Sequence, residues 1–496
     1  MRPLPRKTAL TLFLLIALPF AMWGQRMTMD EAISVARHQS VEALSARQSF
    51  ISTYWAWRSY KATRLPSLSL YGNLMNYNRS LVLLQSYEDG ALKYLATNNL
   101  QNNIGLSISQ NVTFTGGVIT AFSDLSRMDQ FASSKSLTWY SQPISISYSQ
   151  PLFAYNKFKW DKLIAPKEYE RGKRKYIEAM EQITINVVNA YNALILARMN
   201  NSIAYSNYQN TVKMHGIAAE RMRLGSVTRD EYLQLELRML NDSISINETS
   251  VAIRDAQMRL NSILGYDESF EIDPVLPEDL PEVKLDYDMV VDKFLTNSQF
   301  DIDNEINILQ AEESVAKAKA DRGITMTLNA KFGLTDTSPD FGGAYNRPLD
   351  QEVVGLSFSV PIFDWGLGRG KVQKAKAAEE VVKAQVEQSR NDRRRTIYTA
   401  VGQFNNQAAQ CSVSRRAMEV AGERYELTME SFRAGKASVT DLNTARSEND
   451  SARRKYVNDI SDFWNYYYKL RQYALYDFIA GDDLRLDEEE LLGSVK

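Results

Sequence analysis

Ser147-Tyr-Ser-Gln-Pro-Leu-Phe153 returns about 210 residues later as Ser357-Phe-Ser-Val-Pro-Ile-Phe363, and Arg223-Leu-Gly-Ser-Val-Thr228 returns at the same spacing as Arg433-Ala-Gly-Lys-Ala-Ser438. A third passage repeats at a spacing of about 258: Arg26-Met-Thr-Met-Asp-Glu-Ala-Ile33, onward to Ser40, lies over Lys284-Leu-Asp-Tyr-Asp-Met-Val-Val291, onward to Ser298. Pro66-Ser-Leu-Ser-Leu70 lies over Ile324-Thr-Met-Thr-Leu328 in that same alignment. The chain therefore reads as two similar halves, 25–283 and 284–480. Half one holds an insertion of about 48 residues between its first and second passages.

Around these passages two periods alternate. Residues 28–64 read as helix, with Ala36, Ala43, Phe50 and Trp57 stepping by seven. At Leu65-Pro66 the period becomes two: Leu68 and Leu70 alternate with Ser67 and Ser69. A loop is expected over 79–102. Alternation then resumes at Ile104, Leu106 and Ile108, and again at Ile144, Ile146 and Tyr148, up to Pro151-Leu-Phe. A long helix follows over 154–222, with the seam Ile183, Val187, Ala190, Leu194, Ala197, Asn201, Ala204 and Tyr208. A return helix over 228–264 steps the same way through Leu233, Leu237, Leu240, Ile244, Val251 and Met258.

The proline-containing stretch 265–283 reads as an irregular crossover between the halves. Half two repeats the order: helix 286–322, strand 324–333, loop 334–350, strand 352–362, long helix 367–432 and return helix 438–478. Residues 481–496 read as an acidic, solvated tail. In each half one long helix matches the summed length of two shorter ones, which predicts a rod about 100 Å long with strands at one end and tight turns at the other.

At each tight turn a helix stop abuts a helix start. Gly225 and Gly435 suit the left-handed position that ends a helix. Thr228 and Ser438 follow as N-caps, with Glu231 and Asp441 three residues on to complete capping boxes. Val227 with Tyr232, and Ala437 with Leu442, hold the places of a hydrophobic staple. Two readings of the carboxylates are compatible: they cap helices, and Asp441, multiplied by oligomer symmetry, forms a ring of negative charge at the end of a tube. Aromatic residues gather where strands hand over to long helices, with Phe153 and Tyr155 in half one and Phe363 and Trp365 in half two. Such a cluster fits a membrane-boundary girdle or ordinary core packing. Asp364-Trp-Gly-Leu-Gly-Arg-Gly370 fits no complete phosphate-loop fingerprint and reads as a turn.

Composition narrows the function classes. Lys and Arg (58) balance Asp and Glu (60), which gives nucleic acid no basic surface to bind. The single cysteine, Cys411, excludes a disulfide framework. Residues 1–24, basic at Arg2, Arg6 and Lys7 and apolar from Ala9 to Ala21, read as a signal peptide. Beyond them no apolar run reaches the ~20 residues of a spanning helix, so any membrane crossing falls to a β-barrel. His38 and His215 lie far apart without ligand companions, and no nucleophile–base pair appears; neither cofactor, metal nor enzymatic activity is expected.

The duplicated order of elements resembles the TolC-like outer-membrane efflux proteins over nearly the whole chain after residue 24. The likeness rests on Asp30-Glu-Ala32, Leu65-Pro-Ser-Leu-Ser-Leu70, Ser149-Gln-Pro-Leu-Phe153, Val360-Pro-Ile-Phe-Asp-Trp-Gly366 and Arg433-Ala-Gly-Lys-Ala-Ser-Val-Thr-Asp-Leu442. It implies a mainly helical homotrimer in which antiparallel coiled-coil helices form a periplasmic α-barrel joined to an outer-membrane β-barrel. It also implies a Gram-negative outer-membrane location and a passive exit duct of a tripartite efflux or type I secretion system. The implied partners are outer-membrane lipid, a periplasmic adaptor and, through it, an inner-membrane RND or ABC transporter.

Carried onto this sequence, adaptor docking falls on Arg223, Leu224, Gly225, Ser226, Arg433, Ala434, Gly435 and Lys436. The entrance constriction falls on Asp441 with Glu231 nearby; where the family has a second aspartate this chain has Thr444, which leaves a single ring. The family places four strands per chain and about twelve per barrel. Half one here adds two alternating segments, 103–114 and 118–127, expected to form an extra hairpin in the barrel wall or projecting from it. A secreted coiled-coil or adhesin-like rod is the rival reading; it accounts for the heptads but not for the alternating segments.

Overall fold

The computed structural model describes residues 25–85, 90, 92–131 and 135–493; the expected signal peptide lies outside them. In chain order the elements are β1 (Gln25–Met27), α1 (Met29–Gln39), α2 (Val41–Ala62), β2 (Ser67–Gln85), β3 (Leu92–Val112), β4 (Gly117–Gln130), β5 (Ser136–Leu152), α3 (Lys157–Arg223) and α4 (Arg229–Leu264). Then come β6 (Ile272–Pro274), α5 (Tyr287–Asn297), α6 (Gln299–Arg322), β7 (Thr325–Ser338), β8 (Leu349–Ser359), α7 (Leu367–Arg433), α8 (Val439–Ala474), β9 (Tyr476–Asp477), β10 (Asp482–Asp483) and α9 (Glu488–Leu492). Among the described residues no helix is long and apolar enough to cross a membrane. The elements fall into two compact units. A helical unit takes residues 25–46, 178–290 and 399–482, and a strand unit takes 47–177, 291–398 and those from 483 on.

α3 and α7 each run 67 residues, about 100 Å at 1.5 Å per residue, with residues 178–223 and 399–433 in the helical unit, which also holds α4 and α8 of 36 residues each. The seam on α3 is inward: Ile183, Val187, Leu194, Ala197 and Ala204 are buried. The stepping on α4 is not, since Leu233, Leu237, Leu240, Ile244 and Val251 lie on its exposed side and Leu237 is 60% accessible. The face of α4 that packs within the chain carries Leu235, Ala256, Leu260 and Leu264 instead. Cys411 on α7 is buried, and desolvation pushes its thiol up to about 11. The crossover expected as irregular contains β6, which pairs in parallel with β1 (Gln25 with Ile272, Met27 with Pro274).

The strand unit holds a six-stranded sheet among the described residues, in the order β2-β3-β4-β5-β7-β8 with every neighbouring pair antiparallel. Residues 79–102, expected as a loop, are therefore mostly strand. β2 runs on to Gln85 and β3 starts at Leu92, paired from Asn76↔Gln101 out to Gln85↔Leu92. A bulge between Asn73 and Asn76, with Met75 in left-handed backbone (φ 61°), breaks the alternation there and hides the strand from a period-two reading. The segments expected as an extra hairpin lie within β3 and β4, in the sheet itself.

Other boundaries differ for local reasons. The helix expected over 28–64 divides at Ser40, whose Oγ accepts the Ala43 amide (3.0 Å) and caps a new start; 286–322 divides at Ser298, in extended backbone (φ −73°, ψ 158°). The loop 334–350 is shortened by β7 reaching Ser338, and the strand expected over 352–362 is β8, 349–359. The return helix expected to 478 stops at Ala474, where Leu475 turns left-handed (φ 46°). The acidic tail is docked rather than solvated. Asp483 accepts from Lys293 Nζ (3.1 Å) and Asn297 Nδ2 (2.9 Å), Glu488 accepts from the Tyr169 hydroxyl (2.9 Å), and Leu492 is buried.

Candidate functional site

Strand alternation gives the sheet two unlike faces. One row of register partners across β2, β3, β4, β5 and β7 reads Leu68, Ile108, Ala121, Ile146 and Phe332. The adjoining row reads Ser67, Ser109, Thr120, Ser147 and Lys331. On β8 the partner of Phe332 is Glu352, and beyond it the apolar face resumes with Val354, Leu356 and Phe358, the last 71% accessible. A broad apolar face left in contact with solvent is unstable in water and is what a hydrocarbon surrounding requires.

The polar face is lined by hydroxyls and amides. Among its described positions on 67–73, 103–109, 120–126, 142–149, 327–333 and 351–357, charge occurs at Asp124 and Lys331 alone. Lys331 lies 5.2 Å over the Phe122 ring and its Nζ donates to Gln142 Oε1 (3.2 Å).

Where β5 and β8 hand over to the long helices the backbone is strained. Phe153 (φ 62°) and Trp365 (φ 55°) take the left-handed region, which bulky residues avoid. Phe153, Phe363 and Trp365 are exposed, and the last two rings meet edge-on with centroids 4.5 Å apart. Tyr155 instead donates its hydroxyl to Glu313 and is part-buried. Asp364 accepts the amides of Gly366 (2.9 Å) and Gly368 (2.7 Å), so a carboxylate already occupies the α7 start where a phosphate would sit in a glycine-rich loop.

The two tight turns use one backbone design. At α3 the Ser226 amide donates to Arg221 O (2.9 Å) and the Gly225 amide to Met222 O (3.0 Å); at α7 the Lys436 amide donates to Ser431 O (2.8 Å) and the Gly435 amide to Phe432 O (3.0 Å). Both are Schellman closures with glycine left-handed, φ 75° at Gly225 and 77° at Gly435. Both following helices start with complete capping boxes, Thr228 with Glu231 and Ser438 with Asp441. The Thr228 amide and hydroxyl hold the Glu231 carboxyl below its usual range, and the Ser438 hydroxyl and amide do the same for Asp441.

The surroundings of the turns differ. Arg221 reaches from α3 to α7, donating to Phe432 O (3.0 Å) with its guanidinium 5.9 Å over the Phe432 ring. Asp441 opens onto a groove of 490 Å³ shared with Arg424 and Lys436, while Thr444 turns its hydroxyl back to Thr440 O (3.0 Å). Arg223, Leu224, Gly225, Ser226, Arg433, Ala434, Gly435 and Lys436 are all exposed.

Above the turns one core joins four helices: Met214 and Ala218 of α3, Leu235 of α4, Tyr425, Met429 and Phe432 of α7, and Val439, Leu442 and Ala445 of α8. Val227, Tyr232 and Ala437 pack on it, as the staple positions require. Next to it lies a buried ionic network that sequence reading missed. Arg446 donates from both terminal nitrogens to the two oxygens of Asp242 (3.0 and 2.5 Å) and also to Thr211 Oγ1 (3.2 Å). Thr211 Oγ1 donates to Asp242 (2.7 Å), and Asn207 donates to Asp450 (2.7 Å), which lies 3.9 Å from Arg446 Nε. The sequence signal was available: Arg446 and Asp450, four apart, share the inward side of α8 with Leu442.

Comparison with known proteins bears on both ends. Residues 303–473, a span that takes in β7, β8, α7 and nearly all of α8, match the family model described as "Outer membrane efflux protein". No curated protein matches the chain in sequence. Among solved structures, the fold is similar to the outer membrane protein VceC of Vibrio cholerae (15% identity, TM-score 0.62, covering 92% of this chain and 97% of that one). It is similar also to the CmeC outer membrane channel of Campylobacter jejuni (14%, TM-score 0.62, 94% and 88%). A third similar structure is the open state of the MtrE outer membrane channel of Neisseria gonorrhoeae (15%, TM-score 0.58, 92% and 91%). Residues 303–473 are thus similar in sequence to the outer membrane efflux protein family, and over 92–94% of its length the chain has the mostly helical, sheet-bearing fold of these solved outer-membrane proteins.

Proposed function

We propose that this protein is one protomer of a homotrimeric exit duct in the outer membrane, serving a tripartite efflux or type I secretion system. The observation that carries the reading is the two-faced sheet, with apolar rows on one side, hydroxyl and amide rows on the other, and free edges at β2 and β8. Free edges inside a bilayer must be paired, because nothing in hydrocarbon satisfies backbone amides. Copies of the same chain are the simplest partners, and the exposed apolar stripe of α4 offers them a second, coiled-coil contact.

The turns then form the periplasmic docking and gating end. Arg223 to Ser226 and Arg433 to Lys436 present exposed residues to an adaptor, and Asp441, repeated around the axis, makes a single acidic ring that binds cations. Phe153, Tyr155, Phe363 and Trp365 lie at the membrane boundary, Tyr155 turned inward onto Glu313. Transport energy comes from an inner-membrane RND or ABC transporter through the adaptor. The reading is tested by fractionating cells and running the outer-membrane extract with and without heating. A trimer that collapses to monomer on boiling supports it, and recovery as a soluble or surface-shed monomer rejects it.

A further inference from the structure

We infer that the membrane end of this protein is a wide, sparsely charged exit: three copies close an eighteen-stranded barrel that passes bulky hydrated solutes, up to an extended polypeptide segment. The inference deepens the duct reading and rests on its trimer. Six strands, the number in this sheet among the described residues, fall below the roughly eight of the smallest bacterial barrels, so one chain cannot close on itself. β3 and β4 belong to the wall, because the alternation of the outer strands continues through them in register: Leu70 faces Leu106 and Ile108 faces Ala121 on one side, Ser69 faces Ser107 and Ser109 faces Thr120 on the other. A hairpin standing outside a bilayer has no use for an apolar face aligned with its neighbours.

The turn that joins them is also fastened at the level of the strand-to-helix junctions. Asn156 Nδ2 donates to Phe114 O (3.1 Å), Gln150 Nε2 to Thr115 O (2.9 Å), and Asn111 Nδ2 to Thr63 O (2.9 Å). With strands about 4.8 Å apart and tilted by about 40°, eighteen strands enclose a backbone diameter of about 36 Å, against about 24 Å for twelve. Barrels of 16–18 strands leave an aqueous channel. Over 103–109, 120–126 and 327–333 the polar face carries Asp124 and Lys331, one of each sign, and further along β3 the register places Lys93 (partner Leu84) on the same side, so the lumen wall is sparsely charged.

Two cysteine experiments on the full-length outer-membrane protein test this. Ser357→Cys on β8 combined with Ser69→Cys on β2 yields chain-to-chain disulfides under mild oxidation, whereas Ser357→Cys with Thr120→Cys on β4 does not. Crosslinking to β4 instead, or none to β2 in a preparation shown to be trimeric, overturns closure through β2 and β8 and with it the eighteen-stranded barrel; closure through these edges also holds with β3 and β4 outside the wall, and the width measurement below separates the two. A monomeric preparation overturns the trimer reading beneath it. Side chains about 5 Å deep on each wall leave about 26 Å of free width for eighteen strands and about 14 Å for twelve. Separately, then, Ser109→Cys, deep on the polar face, is labelled from the cell exterior by a maleimide carried on a neutral polymer of about 9 Å radius, a size that the eighteen-stranded lumen admits and a twelve-stranded one excludes. Labelling by a small maleimide but not by the polymer overturns the width.

Discussion

The turn after α3 and the turn after α7 share every backbone hydrogen bond of their closure, yet they do not share their neighbours. Gly225 has open space where a Cβ would stand, while Gly435 has the Arg221 guanidinium 2.5 Å away. Glu231 belongs to a box at one turn, and Asp441 belongs to its counterpart while also facing Arg424 and Lys436 across a groove. The closure is set by the order of residues along each turn, and the surroundings by what the other helices bring. Specialised behaviour is therefore expected at the second turn, and stability is expected where the two hairpins are tied together.

The largest effect should come from cutting that tie. Arg446→Ala or Asp242→Ala takes the close partner from a buried charge, leaving Asp242 to Arg238 or Arg446 to Asp450, each 3.9 Å away, and is expected to cost about 3 kcal/mol. Replacing both by apolar residues of similar size should recover most of it, read by denaturant unfolding or by hydrogen exchange in α4 and α8. Equal losses in the single and double variants would show that the network contributes through packing alone. Next, Gly225→Ala should cost about 1–2 kcal/mol through left-handed strain. Gly435→Ala should cost roughly 1 kcal/mol more, because Arg221 must release Phe432 O. Identical exchange protection at the two turns would erase the distinction.

Asp441→Ala should raise the trivalent-cation concentration for half-block of single-channel current roughly tenfold, equivalent to about 1.4 kcal/mol, with Glu231→Ala close to unchanged. Comparable shifts in both would make the turns electrostatically alike. Removing a cap hydroxyl, Thr228→Ala or Ser438→Ala, should cost about 1 kcal/mol at either turn, measured as fraying of α4 or α8. The smallest effect is with pH. Asp441 is held below the ordinary aspartate value of about 3.9, so its charge, its block and its cap are fully present above that value and are lost only as pH falls through the lower folded one. Block should be flat from about pH 8 to pH 5; a midpoint above pH 4 would contradict the hydrogen-bonded carboxylate.

The turns were legible because everything they need is local: a glycine, a hydroxyl and an acid at fixed spacing. The sheet was legible only while its alternation lasted. The bulge at Asn73–Asn76 inverted the phase of β2, and the polar runs 97–99 and 101–103 masked that of β3, so both read as a loop, although Ser80 pairs with Thr97 and Leu81 with Ala96. Heptad stepping identified the apolar stripe on α4 without saying which partner it faces, and within the chain it faces none of the packed helices. Arg221 and the Arg446 network escaped because their partners lie about 200 residues away on other helices, and a spacing rule carries no such information.

Cys411 has a practical corollary. A chain with one thiol has nothing of its own to pair with, and in an oxidising compartment an accessible one would be capped by whatever small disulfide it meets. Burial on α7 and a pKa pushed up to about 11 leave almost no thiolate near neutral pH, so the folded protein is chemically silent toward electrophiles. Exposure to oxidation is limited to the interval before α7 packs. Afterwards any reporter cysteine introduced elsewhere can be read against a blank background, with no need to remove the native one first.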